Sequence, residues 1–161
     1  MGITLSLLER LATIDIFAPK MSIMDIGSSN LYSAPAKNIV GFVRRFAPEY
    51  VDTPGEETLD QFAIRLEEGA GYDPVRGGVN GSWAGELFEK AGFEYSSIDI
   101  AGGYKTTGFD LNAQSLPPSW QGAFDIVINC GTTEHVFNQA HAFKTIHDLT
   151  RAGGVMVHQL P

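Results

Sequence analysis

The run Ser22-Ile23-Met24-Asp25-Ile26-Gly27-Ser28-Ser29-Asn30 constrains the fold more than any other stretch of the chain. An apolar segment meets an acid, then a glycine, then small and polar residues. A buried parallel strand delivers its backbone into a tight turn beside a ligand in this way. Gly27 is free to take φ > 0, and it lets a ligand approach main chain that a side chain would block. Many α/β turns share the pattern. Its weight comes from the runs that follow in order: Tyr95-Ser96-Ser97-Ile98-Asp99-Ile100, Gly108-Phe109-Asp110-Leu111-Asn112, Phe124-Asp125-Ile126-Val127-Ile128-Asn129-Cys130 and Arg151-Ala152-Gly153-Gly154-Val155-Met156-Val157.

Between these runs the apolar spacing turns helical. Leu5, Leu8, Leu11 and Ile14 predict an amphipathic helix over 4–16, ahead of a strand over 21–26. Ile39, Val43 and Phe46 share one face of a helix over 34–47, which Pro48 ends. Thr53-Pro54-Gly55-Glu56 has capping-box spacing and predicts a helix over 55–68 with Gly69 as its stop. The glycines of 69–81, with Pro74, read as a loop, after which Ser82 caps a short helix through Ala91. Strands are predicted over 94–100, 104–109, 124–130 and 154–158, and a helix over 136–151 carrying Phe137, Ala140, Phe143, Ile146 and Leu149. Strands alternating with helices imply an α/β fold with right-handed crossovers and a mostly parallel sheet. Such sheets bind ligands beyond the carboxyl ends of their strands. Asp25, Asp99, Asp110 and Asn129 fall at or near those ends.

A chain of 161 residues suits one domain, read here as 1–161 with an insertion over about 48–81. Its net charge of −8, with Arg44-Arg45 the lone basic pair, argues against nucleic acid as a partner. One cysteine, Cys130, precludes an internal disulfide and fits a reducing compartment. No apolar run approaches the roughly 20 residues of a membrane span, and the N-terminus lacks a signal layout. A cytoplasmic domain with no membrane association is the expectation. Four scattered histidines and one cysteine lack metal-ligand spacing, so no metal is expected. Nothing in the sequence fixes an oligomeric state.

At these residues the chain resembles the class I methyltransferases that use S-adenosylmethionine (SAM). Asp25-Ile26-Gly27-Ser28-Ser29 is similar to the family's first motif, and Asp99 stands where the family's second strand ends in an acid. Phe109-Asp110-Leu111-Asn112 resembles the third-strand loop, and Phe124–Asn129 the fourth-strand motif. Glu134-His135-Val136 is similar to the stretch that follows it, and Arg151-Ala152-Gly153-Gly154-Val155 to the entry into strand five. The resemblance covers 21–32 and 93–159. It implies a Rossmann-like three-layer α/β/α domain in which SAM is held by Asp25, Gly27, Ser28, Ser29, Asp99, Ile100, Asp110, Leu111 and Asn129. In it Asp99 takes the ribose hydroxyls, Asp110 borders the adenine, and a small-molecule or sugar-like acceptor receives the methyl. Two features depart from the family. Ser29 replaces the motif's second glycine, and Asp25 and Asp99 lie 74 residues apart, where nucleotide-binding units of this build place the second acid about 20 residues on. The intervening helices and glycine-rich loop form either a mobile lid over the substrate side or a packing embellishment. The family fold also continues past its fifth strand, so the chain is expected to be truncated there.

Several side chains keep a second reading. Asp25 meets the cofactor's ammonium or holds the turn. Asp110 receives the adenine amino group or caps the turn after it, and Asn129 sits near the transferred methyl or ends its strand. His135 is the candidate general base for a hydroxyl or amine acceptor; otherwise Glu134 and His135 open the next helix. His158 could face the pocket. Two other functions compete: a nicotinamide-dependent oxidoreductase, disfavoured because 27–32 lack three spaced glycines, and a cofactor-binding domain without turnover.

Overall fold

The structure, a computed structural model, describes residues 2–70 and 81–160. Its elements in chain order are β1 (Gly2–Thr4), α1 (Leu5–Thr13), β2 (Ser22–Ile26), β3 (Asn30–Tyr32), α2 (Ala36–Phe46), α3 (Leu59–Gly69) and α4 (Ala84–Lys90). There follow β4 (Glu94–Asp99), β5 (Thr106–Gly108), β6 (Phe124–Cys130), α5 (Gln139–Leu149) and β7 (Thr150–Gln159), with 3-10 turns at Pro118–Trp120 and Thr133–His135. It is an α/β protein, and its chain divides into two compact units.

The unit built from residues 20–29 and 93–160 holds a five-stranded sheet in the order β5-β4-β2-β6-β7, every neighbouring pair parallel. The sequence dictates which strands lie centrally. Ile23, Met24 and Ile26 of β2 and Ile126, Val127 and Ile128 of β6 are fully buried, as a parallel strand covered on both faces requires. Helix α5 sets Ala142, Ile146 and Leu149 against Met24, Ile26 and Val127 in one core cluster. Their i, i+4, i+7 spacing keeps these three on one stripe. Ser22 joins the strand starts: its N–H and hydroxyl both donate to Asp125 Oδ2, at 2.7 and 2.8 Å.

The other unit, Gly2–Pro19 with the described part of Asn30–Gly92, pairs β1 and β3 in a small parallel sheet and packs four helices. Helix α2 buries Ile39, Phe42, Val43 and Phe46. The rings of Phe17, Phe42, Phe46 and Phe88 meet at centroid distances of 5.0–6.4 Å, so an aromatic cluster with tilted and edge-on contacts holds this unit together. Among the described residues no helix is long and apolar enough to cross a membrane.

The five strands of the main sheet lie where the sequence puts them, with shifted ends. Helix α3 starts at Leu59, four residues after the predicted start, because its capping box is Thr58–Gln61 and not Thr53–Glu56. Helix α5 starts at Gln139, where Asn138 Oδ1 accepts the His141 N–H, so Glu134 and His135 lie in a separate 3-10 turn and do not open it. Strand β7 begins at Thr150 instead of 154; its register shifts opposite Phe124 and Ile126, which takes the Arg151–Gly154 segment into the strand. Ser82 does not cap α4; its hydroxyl donates to Leu66 O at 2.9 Å. The two three-residue strands β1 and β3 were not predicted. The loop expected over 69–81 lies outside the described residues except at its ends.

Candidate functional site

Strand order reverses at β2: the chain proceeds from it toward β4 and β5 on one side and β6 and β7 on the other. Ligands in open α/β sheets sit at such a reversal, outside the carboxyl ends of the strands. A cavity of about 360 Å³ opens there, lined along β4 and its loop by Ile98, Asp99, Ile100 and Ala101. Phe109, Asp110, Leu111 and Asn112 after β5 form a second wall, and Thr132, His135 and Val136 after β6 a third. Its volume falls in the range of small-molecule sites, and its makeup is typical of them, an apolar lining with few polar groups.

Each wall is fixed by local hydrogen bonds. Asp99 Oδ1 accepts the Ala101 N–H at 2.6 Å, which turns the chain directly after β4. The Phe109 N–H returns to Asp99 O at 3.2 Å, so the second wall starts against the first. Asp110 Oδ1 accepts both the N–H and the Nδ2–H of Asn112, at 2.8 and 3.0 Å. These donors hold the Asp110 carboxyl below its ordinary range. Behind this wall the Phe109 ring tilts against Trp120 at 6.4 Å. The Thr132 hydroxyl donates to Ile26 O, which ties the third wall to the end of β2.

The structure therefore brings Asp99, Ile100, Asp110, Leu111 and His135 to one cavity. Asp25, Gly27, Ser28, Ser29 and Asn129 do not line it. Asp25 is 1% exposed; its carboxylate accepts the Ser29 N–H at 2.6 Å, the Ser29 hydroxyl at 2.9 Å and the Tyr95 hydroxyl at 2.8 Å. These three protein donors tie the acid to the turn and to β4. Gly27 takes φ 102° and donates its N–H to Ile98 O at 2.7 Å. Ser28 follows at φ 44°, and its hydroxyl oxygen accepts the Tyr104 N–H at 2.9 Å. The loop after β4 thus lies on the turn after β2.

Asn129 is fully buried. Its Oδ1 accepts the Thr133 N–H and its Nδ2 donates to Thr133 Oγ1 at 2.8 Å, so it shapes the turn after β6. His158 stands opposite it in register, its Nδ1 3.1 Å from Asn129 Nδ2. An amide nitrogen only donates, so Nδ1 accepts and the proton sits on Nε2; burial also lowers the imidazole's pKa. The Cys130 thiol is buried and pushed up to about 12 by that burial, with Asp25 and Glu134 adding to the shift, which leaves it unreactive at neutral pH.

Asn112, Thr132, Val136 and Ala101 also line the cavity, and sequence reasoning did not select them. Asn112 had a signal, since it closes the Phe109-Asp110-Leu111-Asn112 run. Set against known protein families, curated proteins and solved structures, the chain matches none.

Proposed function

We propose that this chain binds SAM and transfers its methyl group to a small-molecule or sugar-like acceptor. The observation that carries the reading is Asp99, at the carboxyl end of β4 on the wall of a cavity also lined by Phe109–Asn112 and His135-Val136. The sheet order supports it. With β2, β4, β5, β6 and β7 counted one to five, the order reads 3-2-1-4-5, the start of the doubly wound nucleotide-binding arrangement.

The donor set fits a nucleoside. Asp99 Oδ1 is taken by Ala101 N–H, which leaves Oδ2 to accept from ribose hydroxyls. Asp110 likewise commits Oδ1 to Asn112 and offers Oδ2 to an adenine amino group. Ile98, Phe109, Leu111 and Val136 supply apolar surface for the base. When bound, SAM contributes an electrophilic sulfonium methyl. The chain's part is to orient the acceptor and exclude water. His135 lines the same cavity and is the candidate to take a proton from a hydroxyl or amine acceptor. A nicotinamide reading is disfavoured because the turn after β2 runs into β3, where a pyrophosphate needs a helix N-terminus.

A second reading, a nucleoside-binding domain without methyl transfer, is favoured by the tightness of that turn. Asp25, Tyr95 and Tyr104 occupy its polar groups. Calorimetric titration with SAM, its demethylated product S-adenosylhomocysteine, adenosine and NADH separates these readings. SAM and S-adenosylhomocysteine should bind. Asp99→Ala should weaken both by about 2–4 kcal/mol through loss of hydrogen bonds to a charged acceptor. Adenosine binding as tightly as SAM, without turnover on any acceptor, would favour the second reading. NADH binding more tightly than SAM, or an unaffected Asp99→Ala variant, would sink the first.

A further inference from the structure

We propose that Asn112 is a positioning residue, a latch that joins two walls of the cavity and sets its width. Its side-chain oxygen accepts the main-chain N–H groups of Phe137 and Asn138, each at 3.0 Å. Its carbonyl accepts Asn138 Nδ2–H at 3.1 Å. Its own N–H and Nδ2–H donate to Asp110 Oδ1 at 2.8 and 3.0 Å. One amide thus takes its orientation from an acid on the wall after β5 and holds the chain that leaves the wall after β6. A carboxamide divides the work between two atoms: Nδ2 donates to the carboxylate while Oδ1 accepts from two N–H groups.

The segment it holds is fastened at its other end too. Gln139 Nε2 donates to Thr133 O and Val136 O, and the Val136 N–H donates to Thr133 O at 3.0 Å. The result is a loop tied at both ends on a solvated surface. Phe137 is 98% exposed, yet its main chain is tied on both sides by Asn112 and by the Gln139 N–H donating to Phe137 O at 3.1 Å. An apolar side chain held in water on a fixed backbone is poor use of a phenylalanine for folding. His135 and Val136, two and one residues before it, line the cavity, so releasing the latch moves groups that any occupant would touch. The latch follows from the hydrogen bonds alone; only the choice of probe below rests on the nucleoside reading.

Amide hydrogen exchange in the intact chain, resolved by residue with NMR, tests the latch directly. In the wild type the Phe137 and Asn138 amides should exchange at least tenfold more slowly than the unstructured rate despite the exposure of the segment. Unprotected wild-type amides would overturn the proposal without any variant. Asn112→Ala should release both amides and weaken S-adenosylhomocysteine binding tenfold or more; amides as slow as in the wild type would overturn it. Asn112→Asp adds a readout that a packing role would not move. It keeps the acceptor but sets a second carboxylate against Asp110, so protection should return only at acid pH, where one proton is shared between them. Among the described residues, the other titratable groups facing this pair are Asp99 and His135 across the cavity and His141, whose Nδ1 lies 3.0 Å from Leu111 O. A flat pH profile in Asn112→Asp would overturn the proposal. Wild-type amides that are protected and released by Asn112→Ala, in a chain that binds no S-adenosylhomocysteine, would support the latch and remove the nucleoside reading.

Discussion

Asp25 carries its carboxyl where almost no water reaches it. Burial is the largest influence on it and raises its pKa; the Ser29 N–H, Tyr95 hydroxyl and Ser29 hydroxyl act the other way without cancelling that rise. An acid with a folded pKa above its unfolded value binds more protons folded than unfolded. Its contribution to stability is therefore full below the unfolded pKa and is lost as pH rises through the folded one. Tyr95→Phe removes one of three donors to the charged form. It should cost about 1–3 kcal/mol at neutral pH, and the cost should shrink on acidification as Asp25 takes up a proton. Urea unfolding at a series of pH values measures this; a loss independent of pH would confine the hydroxyl to packing. Gly103 makes the neighbouring test. A Cβ there would stand 2.3 Å from Ser28 Oγ and 2.5 Å from Ser28 Cβ, because the loop after β4 rests on the turn after β2. Gly103→Ala should therefore destabilise by about 1–3 kcal/mol through overpacking, read from the same unfolding curves.

Among the elements, helix α3 separates what local sequence specifies from what only looks like a signal. Thr53-Pro54-Gly55-Glu56 has the spacing of a capping box, but Gly55 takes φ 85° and the helix does not begin there. The working box lies further on, with Thr58 Oγ1 accepting the Gln61 N–H and Gln61 Oε1 accepting the Thr58 N–H. Thr58→Ala should cost about 1 kcal/mol and Thr53→Ala less than about 0.5 kcal/mol. Thermal unfolding of the two variants would decide between the boxes, and equal losses would refute the assignment. The same contrast explains how much of the fold was legible. Strands β2 and β6 were readable because both faces are buried, so their apolar runs are continuous. Strands β1 and β3 were not, since pairing across 28 positions of chain leaves no local trace. Strand β7 was half readable: Val155-Met156-Val157 has strand composition, whereas Thr150–Gly154 is drawn into the ladder by β6 across a register shift.

At the scale of the whole molecule the candidate site was legible where a strand ended in it and opaque where a loop entered it. Asp99 ends β4 and Asp110 follows β5, so a rule about strand ends finds them. Thr132 and Val136 reach the cavity by the path of a 3-10 turn at Thr133–His135, which the predicted elements leave between a strand over 124–130 and a helix over 136–151. The same sheet exposes a collective property. One edge, β5, is three residues long, a length that offers little template for pairing. The other, β7, spans ten residues and is paired by β6 alone among the described residues, with Met156 42% exposed. At neutral pH a net charge of −8 makes copies of the chain repel one another. That repulsion vanishes near the isoelectric point of about 4.8. Sedimentation velocity at low ionic strength, where salt screens charge least, should show concentration-dependent association that rises as pH falls toward that value and recedes when charge repulsion is restored by moving away from it. Met156→Lys places a charge on the open edge and should reduce association at the same distance from the variant's own isoelectric point. Association equal in the variant and the wild type would clear the edge of β7 and leave the loss of net charge as the whole cause.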